Sequence, residues 1–324
     1  MKKRKRKNMH QRIGKCLIVL LFFIILCFGV SEETVISSDT ETVAETEAPV
    51  KEEREGVAVY VEEETVEPPG KDELISTISE LSTEEKIVTS SSEELLKTEA
   101  VSNVKKIQQQ IYGEGRRVSF ILIDINSGEY VSSGTEHIYY GASVLKGPYV
   151  VAVNKYLPES VDAYIKETMT DAVELSDNQC YETLRMTYGV DVLSQMVEYT
   201  GVSTNVVSEY DWYPEMTVKD LAKLWVGMYW YFFEEPNENT EWCISIFENS
   251  AQSYISSSLC EEYTVYSKAG WIYDEYDIAR NDGGIVMAGE NPYILVIMSE
   301  AFDYYEDLEE LAKGLDLVHE NMVK

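Results

Sequence analysis

The chain has 324 residues, 44% of them hydrophobic, which is enough for one sizeable core, and its net charge is -31. So acidic a chain repels phosphate, and its one basic patch is N-terminal, so nucleic-acid binding is excluded as a function. Cys180, Cys243 and Cys260 form no C-x-x-C or Cys/His cluster, so no structural zinc site is indicated and no cofactor is expected. These three are read as buried thiols, with a Cys243–Cys260 disulfide as the alternative for an exported chain.

Residues 1–15 (MKKRKRKNMHQR onward) form a basic segment that runs into an uninterrupted apolar stretch from Cys16 to Val30. This pairing marks an export signal or membrane anchor with its positive end in the cytoplasm. No A-x-A site follows, so a retained anchor and an extracytoplasmic remainder are expected. Residues 31–91 are rich in Glu, Thr, Ser and Val, with Pro49, Pro68, Pro69 and Gly70 as breakers, and read as an acidic disordered tether. The VAVYVEEE piece starting at Val57 has strand character but no partner nearby.

One folded domain is expected over residues 92–324. A capped helix covers SSEELLKTEAVSNVKKIQQQIYG, followed by a hairpin formed by VSFILIDI, the Asn126-Ser127-Gly128 turn and EYVSSG. A helix begins at Ser143. Ser160 to Thr168 and Met169 to Leu175 are helical in pattern, and CYETLRMTYG resumes a helix after the Ser176-Asp177-Asn178 interruption. Asp191 to Phe233 is helical, with a polar, Tyr-rich break from Val202 to Glu215. Three consecutive strands are then predicted, Tyr263 to Trp271, Tyr276 to Gly289 and Pro292 to Glu300, and a last helix closes the chain. Strands early and late with helices between imply an α+β fold with one antiparallel sheet of about five strands drawn from both ends, flanked by helices.

Three short elements carry polar chemistry in order: Ser143-x-x-Lys146, Ser176-Asp177-Asn178, and Lys268-Ala269-Gly270 on a strand. Residues three apart share a helix face, so a Lys amine comes beside a Ser hydroxyl where free N–H groups at the helix start suit an oxyanion. Such a Lys takes a proton at neutral pH only if its pKa is lowered by burial or by another cation. Taken singly, Ser-Asp-Asn is also an ordinary helix cap and Lys-Ala-Gly an ordinary strand end. His10, His137 and His319 are poor candidates for a Ser-His-Asp triad, which favours a lysine base.

The ordered trio resembles the penicillin-recognising serine hydrolases, the family of class A β-lactamases and D-alanyl-D-alanine peptidases, from about Ser92 to the C-terminus. The resemblance implies a β-lactamase-like fold with a reduced all-helical subdomain, because the segment from Ser143 to Ser176 is short. It implies that Ser143 forms an acyl-enzyme with Lys146 taking its proton, that Ser176 relays a proton to the leaving nitrogen, and that Asn178 holds the substrate amide and orients Lys146. Lys268 would lower the Lys146 pKa and attract an anionic substrate. The backbone N–H groups of Ser143 and Trp271 would form the oxyanion hole, with Gly270 beside the substrate.

Two departures bear on substrate and turnover. Ala269 stands where the family places a Thr or Ser hydroxyl; Arg280 either supplies the missing anion contact or is a salt-bridged surface arginine. The deacylating Glu of class A β-lactamases has no E-x-x-L-N counterpart in GVSTNVVSEYDWYPEM, where Glu209, Asp211 and Glu215 are the substitutes or simply solvated acids. The expected activity is that of a serine hydrolase acting, as a monomer, on a peptide or amide of the cell wall, or on a β-lactam that it handles poorly, since without a positioned base the acyl-enzyme should hydrolyse slowly. The alternative is a membrane-anchored sensor or binding module that is acylated without efficient turnover.

Overall fold

In the computed structural model the structure describes residues 67–234 and 236–324. The basic segment, the apolar run with Cys16 and Cys27, His10, the VAVYVEEE piece and residues 31–66 of the expected tether lie outside the described residues. Among the described residues, no helix is long and apolar enough to cross a membrane.

The folded body begins earlier than composition predicts. Lys71–Glu80 is helix α1, with Leu74 and Ile78 buried in the core, and Val88–Thr89 is strand β1. The boundary expected at residue 92 therefore moves back, because two apolar residues four apart give the acidic segment one buried helical stripe. Helix α2 (Glu99–Gly113) starts at a Thr98 cap whose side chain accepts the Val101 N–H. The hairpin strands are β2 (Val118–Asp124) and β3 (Tyr130–Ser133).

The late strands are β6 (Thr264–Tyr273), β7 (Ile278–Met287) and β8 (Tyr293–Ser299). They join the hairpin in one antiparallel sheet of order β1-β3-β2-β8-β7-β6, so the sheet has six strands where the sequence suggested about five. The sixth is the two-residue β1, too short to show a pattern of its own.

Every residue of β2 is buried, and its side chains alternate between two cores. Ile121 and Ile123 pack with the helical half, whereas Phe120 and Leu122 pack with α2 and the last helix, α10 (Tyr305–Met322). A sheet covered on both faces explains the unbroken apolar run.

The helical half holds α3 (Lys146–Tyr156), α4 (Ala163–Glu174), α5 (Asn178–Tyr188), α6 (Asp191–Thr200) and α7 (Val218–Phe233). The stretch read as two helical pieces, Ser160 to Thr168 and Met169 to Leu175, holds the single helix α4, which starts only after an Asp162 cap, with Ser160 in a preceding 3-10 turn. Helix α7 starts at a Thr217/Asp220 capping box and is the apolar centre of this half. Two short helices that the sequence did not suggest, α8 (Glu238–Ser245) and α9 (Tyr254–Leu259), lead into β6. A small two-stranded pair, β4 (Tyr139–Tyr140) and β5 (Glu215–Met216), ties the residues before Ser143 to the end of the Tyr-rich loop. Cys180, Cys243 and Cys260 are free thiols; Cys243 is buried as expected, while Cys260 is exposed.

Candidate active site

Ser143 lies in a 3-10 turn, Ala142–Leu145, that feeds directly into α3 at Lys146. Ala142 takes the left-handed φ of 50°, and Ser176 does so as well at 56°. A non-glycine residue held there costs about 1–3 kcal/mol and needs surrounding contacts to persist. For Ala142 those contacts include Asn281 on β7, whose Nδ2 donates to Tyr140 O at 2.8 Å and Gly141 O at 3.3 Å.

Lys146 is fully buried, and its Nζ donates to Ser176 O and Asn178 Oδ1, both at 2.6 Å. Burial lowers its pKa to about 8, against the pull of Asp177. The sequence expectation put Lys146 on the Ser143 hydroxyl; among the described residues its hydrogen bonds go to the Ser176–Asn178 turn instead. That turn is both a helix cap and part of the site. Asp177 caps α5 by accepting the Cys180 N–H at 2.8 Å, and this holds Asn178 at the first helical position facing Lys146.

Lys268 is also fully buried and donates from Nζ to Ser176 Oγ at 3.0 Å and to Ala269 O at 2.6 Å. Burial first, and then the neighbouring Lys146 charge, push its pKa down to about 7. The buried Asp282 carboxyl opposes that shift. It accepts from Ser253 Oγ at 2.7 Å and Ile255 N at 3.0 Å, and burial raises it to about 6.

Two glycines make this approach possible. A Cβ on Gly147 would meet the Lys268 side chain at 3.3 Å and Phe247 at 2.9 Å, so the lysine stem runs under α3 only because nothing projects there. A Cβ on Gly270 would lie 2.5 Å from Ser143 N and 2.6 Å from Val144 N, which sets the β6 backbone directly against the Ser143 turn.

Strand β6 is an edge strand of the sheet, at the opposite side from β1. Ser267 N and Ala269 N both point off that edge, to Phe247 O at 3.0 Å and Ser250 Oγ at 3.4 Å. Backbone N–H groups alternate sides along a strand, so Trp271 N, two residues on, projects from the same edge beside the Ser143 turn.

Ser143, Lys146, Ser176, Asn178, Lys268, Gly270 and the Trp271 backbone thus come together at one place. The Arg280 side chain stands apart from them. It pairs with Trp271 in the β6–β7 register and shares the face of Ala269 and Asp282, opposite to Lys268. Its guanidinium lies 4.7 Å from the Phe302 ring and 4.9 Å from that of Tyr305, and it is buried, with Nε and Nη1 lacking hydrogen-bond partners among the described residues. A salt-bridged surface arginine is therefore not what the structure contains.

Neither described histidine reaches Ser143. His137 Nε2 lies 3.2 Å from Glu85, and His319 pairs with Asp124 at 2.9 Å inside the molecule.

The loop acids Glu209, Asp211 and Glu215 are all exposed, and Asp211 accepts the Tyr213 N–H at 3.0 Å in a local turn. Sequence reasoning passed over Tyr213 itself, whose hydroxyl donates to Asn178 Oδ1 at 3.1 Å. It also missed Arg185, Asn281 and Asp282. The consecutive polar Asn281 and Asp282 inside an apolar strand were the readable signal, since Asn and Asp are depleted from strands.

A six-stranded antiparallel sheet with a helical half against one face, and a Ser, two buried lysines and a Ser-Asp-Asn turn at its β6 edge, defines a penicillin-recognising serine hydrolase architecture. The chain belongs to the beta-lactamase enzyme family, whose profile matches residues 153–315. That match begins after Ser143 and Lys146 and includes Ser176, Asn178 and Lys268. No curated protein matches the sequence.

Among solved structures the chain is similar to PBP-A, at 16% identity and a TM-score of 0.56 over 68% of this chain and 96% of that one. A mutant of PBP-A in an acyl-enzyme complex with penicillin G gives 16% identity and a TM-score of 0.56 over 68% and 97%. The beta-lactamase from Sphaerobacter thermophilus DSM 20745 gives 13% identity and a TM-score of 0.55 over 66% and 95%. At such identities the likeness concerns the fold.

Proposed function

We propose that this protein is a membrane-tethered, extracytoplasmic serine hydrolase that opens an amide of the cell-wall peptide or β-lactam type through an acyl-enzyme on Ser143. The observation that carries this reading is the meeting of two buried lysines on one serine, with Lys146 on Ser176 O and Lys268 on Ser176 Oγ, where β6 lies against the Ser143 turn. An ammonium lowered to about 8 has a neutral fraction near neutral pH, so Lys146 can take the Ser143 proton once substrate closes the site. The attacked carbonyl oxygen is received by the Ser143 and Trp271 N–H groups. Ser176 then gives its hydroxyl proton to the leaving nitrogen and takes one from the Lys268 ammonium that already donates to it. Arg280 serves as an anion contact only if it turns from its ring neighbours toward the edge of β6.

The exposure of Glu209, Asp211 and Glu215 favours a second reading, in which deacylation is slow and the protein acts as a sensor or binding module. Incubation with a fluorescent penicillin tests the first reading: the protein is expected to be labelled covalently and Ser143→Ala to lose the label. Equal labelling of that variant removes Ser143 as nucleophile. Time-resolved mass spectrometry of the adduct separates the two readings, since an enzyme sheds the acyl group within minutes and a sensor retains it for hours.

A further inference from the structure

The loop between α6 and α7 has no carboxylate facing Lys146, but it does bring a phenol to the site. Tyr213 lies between two anchor points. Pro214 O accepts the Gly141 N–H at 3.1 Å, two residues before Ser143, and Trp212 O accepts from Tyr181 OH at 3.3 Å. Behind it, Arg185 donates from Nη2 to Ser208 O at 2.6 Å and stands within 6 Å of the Tyr149, Tyr181 and Trp212 rings, at 5.2, 5.9 and 5.7 Å. The phenol is therefore held from both sides, and its hydroxyl meets Asn178 Oδ1.

That oxygen already accepts from Lys146 Nζ at 2.6 Å. An ammonium only donates, so the Asn178 atom facing Lys146 must be the amide oxygen, and a phenol facing the same oxygen donates too. With both contacts on Oδ1, the Nδ2 group is engaged by neither of them. The Tyr213 and Tyr181 rings each stand 5.8 Å from Lys146 Nζ and help exclude water from it.

We infer that Tyr213 is a positioning residue for this site: its hydroxyl fixes the Asn178 amide and, by competing for Oδ1, holds down the proton affinity of Lys146. The inference rests on the acylation reading only for its consequence in turnover. The other groups facing Lys146 are Asp177 and Cys180 from α5 and Lys268 from β6, and none of them changes in the test below.

Tyr213→Phe keeps the ring and removes the donor. Released from competition, Asn178 Oδ1 binds the Lys146 ammonium more strongly, which favours the charged form. The Lys146 titration, followed by NMR of carbon-13-labelled lysine and assigned with Lys146→Arg, is expected to move up by about half a pH unit. In an Asn178→Ala background, the further change Tyr213→Phe should move it no more. Penicillin labelling at pH 7 should slow about threefold or more in Tyr213→Phe. The same titration in wild type and Tyr213→Phe, or an equal shift with Asn178 absent, overturns the inference. A protein that takes no penicillin at all overturns the acylation reading instead, while the titration still decides the role of Tyr213.

Discussion

Lys268 Nζ donates to Ser176 Oγ across 3.0 Å, joining residues 92 positions apart in sequence. One belongs to the edge strand β6 of the sheet and the other to the turn before α5, so this single bond closes the site between the two layers. Because Lys268 is buried with its pKa lowered, the bond is made at a cost to stability.

That cost is measurable. Below pH 7 Lys268 is charged in the folded and unfolded protein alike, and the full burial penalty applies. Between about 7 and about 10.4 the folded protein binds fewer protons than the unfolded one, so this group's contribution to stability rises with pH. Lys268→Met is therefore expected to melt above wild type at pH 6, with a gap that narrows by about 2 kcal/mol by pH 9. Denaturant melts at the two pH values check this, and a gap that widens with pH refutes it.

Acylation by penicillin should rise with pH through a midpoint near 8, following loss of the Lys146 proton. The pseudo-first-order labelling rate, measured from pH 6 to 9.5 at fixed reagent, gives the profile directly. A rate independent of pH would mean that Lys146 is not the base.

Gly270→Ala brings a methyl group within 2.5 Å of Ser143 N, against backbone that cannot swing aside as a side chain would. The expected result is a loss of about 1–3 kcal/mol in stability and of about 100-fold in labelling rate, since the oxyanion donors lose their spacing. Gly113→Ala serves as the control, because a Cβ there meets nothing within 4 Å, its φ is not left-handed, and the residue is far along the chain from the site.

Arg185→Met should loosen the loop without touching Ser143. It frees Ser208 O and removes the cation from among three aromatic rings, at an expected cost of about 2–3 kcal/mol. Hydrogen exchange should quicken over residues 202–215 while that of β2 is unchanged. Equal quickening in both would mean global rather than local loss.

Much of the α+β architecture was legible because its signals are local. The apolar run VSFILIDI, the late strands and the capped α2 helix each follow from periodicity and caps within one element. The trio Ser143, Ser176 and Lys268 was legible as an order along the chain. What escaped were contacts between distant segments: Tyr213 on Asn178, Arg185 on Ser208, and Asn281 on Tyr140 and Gly141. A tyrosine in a Tyr-rich loop carries no mark of which hydroxyl meets which amide. Helix α1 escaped for a different reason, since two buried side chains, Leu74 and Ile78, decide the fate of an otherwise acidic stretch.

The register of β2 sets when folding can finish. Val118 pairs with Ser299 and Asp124 with Tyr293, so the hairpin strand waits for a partner made long after it along the chain. Pairings so distant along the chain are slow to form, because the intervening loop must first be closed. A growing chain can collapse its helices early yet cannot complete its sheet before β8 leaves the ribosome. Delay of that kind leaves a polypeptide threadable, which suits the export proposed for this one.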